Sequence, residues 1–465
     1  MIFDKPPGHP PADGPGSLSP GAHNQVDPAT EFVPDTDHPA GAAEVLRSTR
    51  AVRERAHALL ARARHGESQW FTIGGDDALE DTARTVDEVT RDRYPWGPIP
   101  YHSRWRHFEA GGIDRLAQFD ALLGANATPR QRARAQIDLV LVSVLLDAGA
   151  GADWHYTESA SGQRFTRSEG LGVACFHAFT SGLFSSDPDR PLQADAAGLR
   201  ALATDQLGQA FQASEANPLV GLPGRATLLR RLGEALAEQP EVFGPDGRPG
   251  GLIDMLVSPA GPAAPMTADI TAHEILTQLL MSLSRIWPAQ NAIDGVASDG
   301  SLKLGSGNPD FALGDCWRHS AVRGPGLTDG WMPFHKLSQW LTYSLVEPFE
   351  RAGVRVRGLD ELTGLPEYRN GGLLIDSGMI RVRDPALLEH TWHVGDEFIV
   401  EWRALTVALL DELAPRVRKI LNRSDAELPL ACMLEGGTWA AGRVLAERLR
   451  GGAPPLRIES DGTVF

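Results

Sequence analysis

Four acidic residues stand in peptides that are otherwise rich in aromatic and basic side chains: Glu169, Asp315, Glu347 and Glu367. A carboxylate beside a histidine can move a proton, and one beside an aromatic face can steady a cationic centre. Asp315 and His319 lie four residues apart, a spacing that suits an acid/base pair and a metal-binding pair equally. Glu169 follows Ser168, a candidate helix cap. It reads either as a first-turn carboxylate favoured by the helix dipole or as a group facing a site beside Trp154 and Tyr156. The run from His102 to Phe108 packs two histidines, two arginines (Arg104 and Arg106) and Trp105 into seven residues. Guanidinium forks match phosphate and carboxylate, so this run is an anion-binding corner or else a solvated loop anchored by Trp105.

One stretch is expected to position much of this chemistry. From Lys336 to Glu347 the spacing is helical, with Leu337, Leu341 and Leu345 on an apolar stripe. Lys336, Trp340, Tyr343 and Glu347 recur beside it. They set a cation, two aromatic faces and a carboxylate on one side of a helix. The stretch reads as a core helix with a polar margin or as one wall of a pocket for a small polar molecule. Pro333 fits a first turn, and Pro348 is expected to end the helix near Glu347.

At 465 residues the chain can bury a large core, and 42% hydrophobic with 22% charged residues is ordinary for a globular protein. A net charge of −16 argues against nucleic acid as a partner. Three cysteines far apart suggest neither a disulfide framework nor a cysteine metal site. The absence of a long apolar run predicts no membrane span, and the N-terminus lacks signal-peptide features, so a cytoplasmic location is expected. His273-Glu274 opens like a zinc-protease motif, but Thr277 stands where its second histidine belongs. The fourteen histidines show no strong ligand spacing, and neither a metal nor another cofactor is expected.

Residues 1–40, rich in Pro, Gly and Asp, are expected to be a flexible or extended arm, and 41–465 a single large catalytic domain. Helical runs are expected over 42–64, 131–147, 195–211, from the Leu222-Pro223-Gly224 turn through 238, and over 266–287, 397–421 and 437–449. Leu373 to Ile380 reads as two short strands around Asp376-Ser377-Gly378, and the C-terminus as a hairpin around Asp461-Gly462. The strand–helix alternation of a parallel sheet is missing. The fold class expected is mostly α, a large helical domain with small β-hairpins. Its Leu-Pro-Gly turn between helices suggests a helix-hairpin-helix, glycosylase-like arrangement.

Several peptides together resemble the uracil-catabolism proteins of fungi and bacteria, long filed as a domain of unknown function. They are Ile99 to Phe108, Leu145 to Gly151, Arg167 to Leu171, Phe334 to Leu345 and Gly364 to Gly372. A fainter pattern is similar to the queuosine-salvage N-glycosylases, which resemble DNA glycosylases in fold. Their Asp-Tyr-Arg step falls near Thr342-Tyr343-Ser344, where no aspartate stands. The resemblance implies a route in which a uracil nucleotide is ring-opened and a ribosylurea-type intermediate yields urea. It therefore implies an N-glycoside hydrolase acting on ribosylurea or its 5-phosphate. On that reading the catalytic set is Asp315, Glu169, His319 and Glu347, with Asp315 and Glu169 favoured as carboxylates and His319 or His335 as proton donor. Substrate would be held by Trp154, Tyr156, Arg167, His335, Lys336, Trp340, Tyr343, Glu367, Arg369 and Asn370, and phosphate by Arg104 and Arg106. Two other readings stay open: a metal-dependent amidohydrolase using some of His102, His107, Asp315, His319 and His335, and a binding protein without turnover.

Overall fold

Two long helices are buried nearly all round and set the frame. Pro129–Leu145 starts at a capping box, in which Thr128 accepts from the Gln131 N–H and Gln131 accepts from the Thr128 N–H. From Ala135 to Leu145 every residue is buried, so this is a central helix. Glu397–Leu421 keeps the expected bounds and is buried without a break from Phe398 to Leu410. In this computed structural model the described residues are 34–257, 268–287, 291–293 and 311–459. Those from Asp35 onward belong to one compact unit. The proposed arm lies outside the described residues up to position 33, and so does the Asp461-Gly462 turn.

The architecture is mostly α, as expected. Thr49–Arg64 and Asp76–Arg93 pack on the Glu397–Leu421 helix, and Lys336–Arg351 packs on Pro129–Leu145. Tyr368–Asp376 lies against Trp439–Arg450. Among the described residues the strands form five two-stranded pairs. Only His155–Thr157 with Arg164–Thr166, and Cys316–Arg318 with Trp331–Pro333, are antiparallel pairs of strands that follow one another. The other three tie distant segments; Thr391–Trp392, for example, runs parallel to Arg457–Ile458.

Several boundaries differ from expectation for identifiable reasons. The run 42–64 is two helices, Pro39–Leu46 and Thr49–Arg64, because Ser48 caps the second one by accepting from the Ala51 N–H. Asp195 caps Ala196–Ala201, and a second helix, Thr204–Ala210, follows. The Lys336–Arg351 helix runs through Pro348. The carbonyl that proline leaves without its amide partner, that of Ser344, accepts from the Trp105 indole at 3.0 Å instead. The region 373–380 is not a strand pair. Glu367 caps a helix, Tyr368–Asp376, by accepting from the N–H groups of Arg369 and Asn370. The Leu-Pro-Gly tripeptide is not a hairpin turn. Gly221, at φ +70°, makes the turn, and Leu222 to Gly224 form the first turn of Leu222–Ala237.

Candidate functional site

A cavity of about 590 Å³ opens where several of these elements end, within the size range of small-molecule sites. Lys336 and Trp340 enter it from the start of the Lys336–Arg351 helix, and Arg167, Ser168 and Glu169 from the start of Arg167–Thr180. Glu367, Tyr368 and Arg369 come from the start of Tyr368–Asp376, and Trp439 and Arg443 from Trp439–Arg450. His102, His107 and Asp147 close the inner wall. Three helices thus present N-terminal turns to one space, which favours negative charge there. Two of the entering residues have left-handed or neighbouring strained backbone: Arg167 lies at φ +55°, and His335, just before Lys336, at φ +51°.

The inner wall is a chain of buried polar contacts. Arg104, fully buried, donates to Ser143 at 2.7 Å and to Asp147 at 2.7 Å, and its guanidinium sits 5.7 Å from the Trp340 ring centre. Burial works to raise the Asp147 pKa, but Arg104 and then His107 hold the carboxyl below the ordinary range. Burial, and then Arg104, push His107 down to about 4. His107 is therefore neutral near pH 7. With its Nδ1 accepting from Arg104 at 3.2 Å, its Nε2 carries the proton.

His102 is set differently. Its Nδ1 lies 2.8 Å from Glu435 Oε2. Burial would raise the Glu435 pKa, yet its bond to His102 and the neighbouring Arg93 bring it to about 2. An ionised carboxylate only accepts, so Nδ1 is the donor and Nε2 is the nitrogen left for proton exchange. Glu435 sits in a one-turn π-helix, Leu434–Thr438, a local widening that often marks functional positions. Gly437 permits it, since a Cβ there would meet Val86 and Thr90 of the Asp76–Arg93 helix. The His102 ring centre is 6.4 Å from that of Trp340 and 5.9 Å from that of Trp439.

Of the cavity carboxylates, Asp147 is held by Arg104, and Glu169 meets Arg443 at 3.2 Å. Glu367 accepts from two backbone N–H groups. Burial raises its pKa against the pull of those bonds and of Lys336 and His102. On Lys336, burial, helped by Arg403, lowers the ammonium pKa.

Residues 45–465 match a family described as "Protein of unknown function (DUF1688)". The chain belongs to that family. "Protein urg3" of Schizosaccharomyces pombe (strain 972 / ATCC 24843) is 37% identical over 426 residues, covering 90% of this chain and 98% of that protein. "Uracil catabolism protein 4" of Lachancea kluyveri is 38% identical over 396 residues, covering 80% and 86% respectively. The family resemblance carried by the peptides quoted above is thus borne out.

In this DUF1688 protein the cavity brings together Glu169, Arg167, Lys336, Trp340, Glu367 and Arg369 of the residues singled out from sequence. The others are placed elsewhere. Asp315 pairs with both Arg403 nitrogens at 2.8 and 2.7 Å and accepts from the Lys336 N–H at 3.0 Å, so it caps the helix from outside the cavity. His319 does not share a helix turn with Asp315, because a strand, Cys316–Arg318, separates them. It meets Glu401 at 3.2 Å, beside a smaller cavity of about 190 Å³. Glu347 receives Ser103 at 2.5 Å, Arg106 at 3.1 Å and Arg351 at 2.7 Å. Arg104 and Arg106 are taken up by these carboxylates. His335 shares a hydrogen bond with the Leu46 carbonyl at 2.8 Å, and Tyr343 donates to that of Thr363 at 3.0 Å. Trp154, wholly buried, donates to Phe211 O, Tyr156 lies against the His177 ring, and Asn370 donates to Leu365 O. The stripe on the Lys336–Arg351 helix therefore divides: its first turn lines the cavity and its later members pack.

Glu435, Trp439 and Arg443 were not singled out as site residues from sequence alone, and His102 was named only in the metal-dependent reading. His102 stood in the basic–aromatic run, but Arg104 and Arg106 drew the anion-binding reading. The Glu435-Gly436-Gly437 step carried the one available signal, a carboxylate beside two glycines that interrupt a helical pattern. Among the described residues no group of three His, Cys, Asp or Glu side chains could hold a metal ion, and no helix is long and apolar enough to cross a membrane.

Proposed function

We propose that this protein is an enzyme of uracil catabolism that hydrolyses the N-glycosidic bond of ribosylurea or its 5-phosphate, releasing urea. The pathway is drawn from the printed name of the Lachancea kluyveri relative. The observation that carries the chemistry is Glu367, a carboxylate with a raised pKa at the wall of an aromatic cavity, influenced by both Lys336 and His102.

Breaking the bond from ribose C1 to the urea nitrogen leaves positive charge on the sugar. Glu367 takes the role first assigned to Asp315: it faces that charge and accepts a proton from the attacking water. A raised pKa suits a base working near neutrality. His102, held through Nδ1 by Glu435, supplies a proton from Nε2 to the departing nitrogen. Trp340 and Trp439 flank the planar ureido group, and Lys336 orients the Glu367 carboxylate. Glu169 stays beside Arg443 at the rim, where it orients that guanidinium. Water adds to C1 and keeps one hydrogen as the new hydroxyl; the other goes to Glu367 and returns through solvent to His102, so the products are urea and the free sugar or sugar phosphate.

The test is incubation of purified protein with ribosylurea and with ribosylurea 5-phosphate, followed by assay of urea. Turnover of either, abolished in His102→Gln, is expected. Binding of both without urea release would leave a binding protein in place of the hydrolase.

A further inference from the structure

In the lining of the same cavity, two guanidiniums approach Gly452 and a third, that of Arg443, shares the space. Arg369 Nη1 donates to the Gly452 carbonyl at 3.2 Å. Arg167 Nη2 would lie 3.9 Å from a Cβ placed on Gly452, whose φ of +88° suits glycine. Arg443 comes from the facing helix and lies 5.8 Å from the Trp439 ring centre. Burial lowers the Arg369 pKa, and both Arg167 and Arg443 add to that lowering, so the three cations feel one another. Three carboxylates stand near them: Glu169 meets Arg443 at 3.2 Å, Glu367 is the strongest charge favouring the Arg369 cation, and Glu447 Oε2 would lie 2.7 Å from a Cβ on Gly452. Among the described residues Arg167 has no ion-pair partner. Of the three guanidiniums only Arg443 is in an ion pair among the described residues, and Arg369 is engaged by a backbone carbonyl, so Arg167 and Arg369 keep donor edges that an anion entering the cavity can use.

We infer that Arg167, Arg369 and Arg443 form a subsite for a phosphate monoester, and that the protein acts on the phosphorylated sugar rather than on the free one. This rests on the hydrolase reading above. The chemistry fits a dianion with three terminal oxygens better than a single carboxylate, because three forks can each engage an oxygen edge. Arg369 lies two residues beyond Glu367 and donates its backbone N–H to that carboxylate at 2.7 Å, so the subsite adjoins the proposed base along one wall of the cavity. Arg167 is held in position by a backbone conformation that non-glycine residues seldom adopt.

The deciding experiment is calorimetric titration of the full-length protein with ribose 5-phosphate, ribose and inorganic phosphate. Ribose 5-phosphate is expected to bind at least about 100-fold more tightly than ribose, and inorganic phosphate to compete with it. Arg443→Gln and Arg167→Gln should each weaken ribose 5-phosphate binding by about tenfold or more, and Arg443→Lys by less. Equal affinity for ribose and ribose 5-phosphate would overturn the subsite, as would unchanged ribose 5-phosphate binding in both glutamine variants with native circular dichroism. The two readings separate cleanly. Arginine-dependent ribose 5-phosphate binding without cleavage of ribosylurea 5-phosphate supports the subsite and removes the hydrolase. Equal kcat/KM on ribosylurea and its 5-phosphate removes the subsite and keeps the hydrolase.

Discussion

Glu367 does two things at once, and the two can be taken apart. As a cap it offers oxygens to the N–H groups of Arg369 and Asn370, a task that a glutamine carbonyl can partly take over. As a base it needs a charge and a proton affinity that glutamine lacks. Glu367→Gln is therefore expected to fold, with a loss of about 1 kcal/mol at most in denaturant titration, while kcat for urea release falls by about 10² to 10⁴. A variant with full turnover would remove Glu367 from the mechanism. The direction of its pKa shift also fixes a pH response. The base works ionised, and burial raises its pKa above 4.5. Activity should therefore rise with pH through an acidic limb lying above the ordinary glutamate range, and Glu367→Asp should move that limb. The sequence exposed Glu367 as one of four candidate carboxylates but could not rank them. Asp315 stood beside Trp317 and His319 and looked the more chemical; its partner Arg403 is 88 residues away, a pairing no local pattern displays.

Helices were more legible than the single residues they carry. Glu397–Leu421 was read with its bounds intact, because its apolar spacing runs unbroken for seven turns. The Lys336–Arg351 helix was expected to hold Pro333 in its first turn, but Pro333 ends the Trp331–Pro333 strand, and it was read too short at its end, since the indole that compensates for Pro348 comes from Trp105. The 373–380 segment was misread because its apolar run fits a strand as well as a helix, and only the cap at Glu367 decides. Where two elements meet, glycine sets how closely the arginine subsite is drawn together. Gly442, on Trp439–Arg450, lies so near Tyr368–Asp376 that a Cβ would fall on the Arg369 carbonyl oxygen. That neighbour is backbone and cannot step aside. Gly442→Ala should force the helices apart, costing about 1–3 kcal/mol of stability. It should also raise KM for the phosphorylated substrate and lower kcat together, because Glu367 rides with Arg369 on one helix while Glu435, which holds His102, directly precedes the helix that carries Arg443. Thermal unfolding together with steady-state kinetics checks both parts. An unchanged melting temperature would show that the helices do not meet this closely.

At the scale of the molecule, the site exists only because segments near residues 102, 147, 167, 336, 367, 440 and 452 end at one place. A sequence shows each of these peptides but not that they share a space. Buried ion pairs between distant segments help to fix that convergence. Asp315 and Arg403 are the clearest case: Arg403 is fully buried, Asp315 is 7% exposed, and the pair fastens the helix that carries Lys336 and Trp340 to the central Glu397–Leu421 helix. Burial by itself would raise the Asp315 pKa, but the Arg403 guanidinium and the Trp317 and Lys336 donors bring it to about 2, against an ordinary 3.8. A carboxyl whose pKa is depressed on folding contributes stability above its unfolded value and loses it as protons bind the native state. The contribution should thus be whole above about pH 4 and disappear as pH falls toward about 2. Asp315→Asn leaves the buried guanidinium without its counter-charge and should cost about 3–5 kcal/mol at pH 7. The difference between wild type and variant in urea unfolding should then shrink steadily across that acidic window. A difference that stays constant from pH 7 down to pH 2 would mean that the pair is not ionised in the native protein. A small cost at pH 7 would mean that the pair does not hold the Lys336–Arg351 helix in place, and the first turn that lines the cavity would need another anchor.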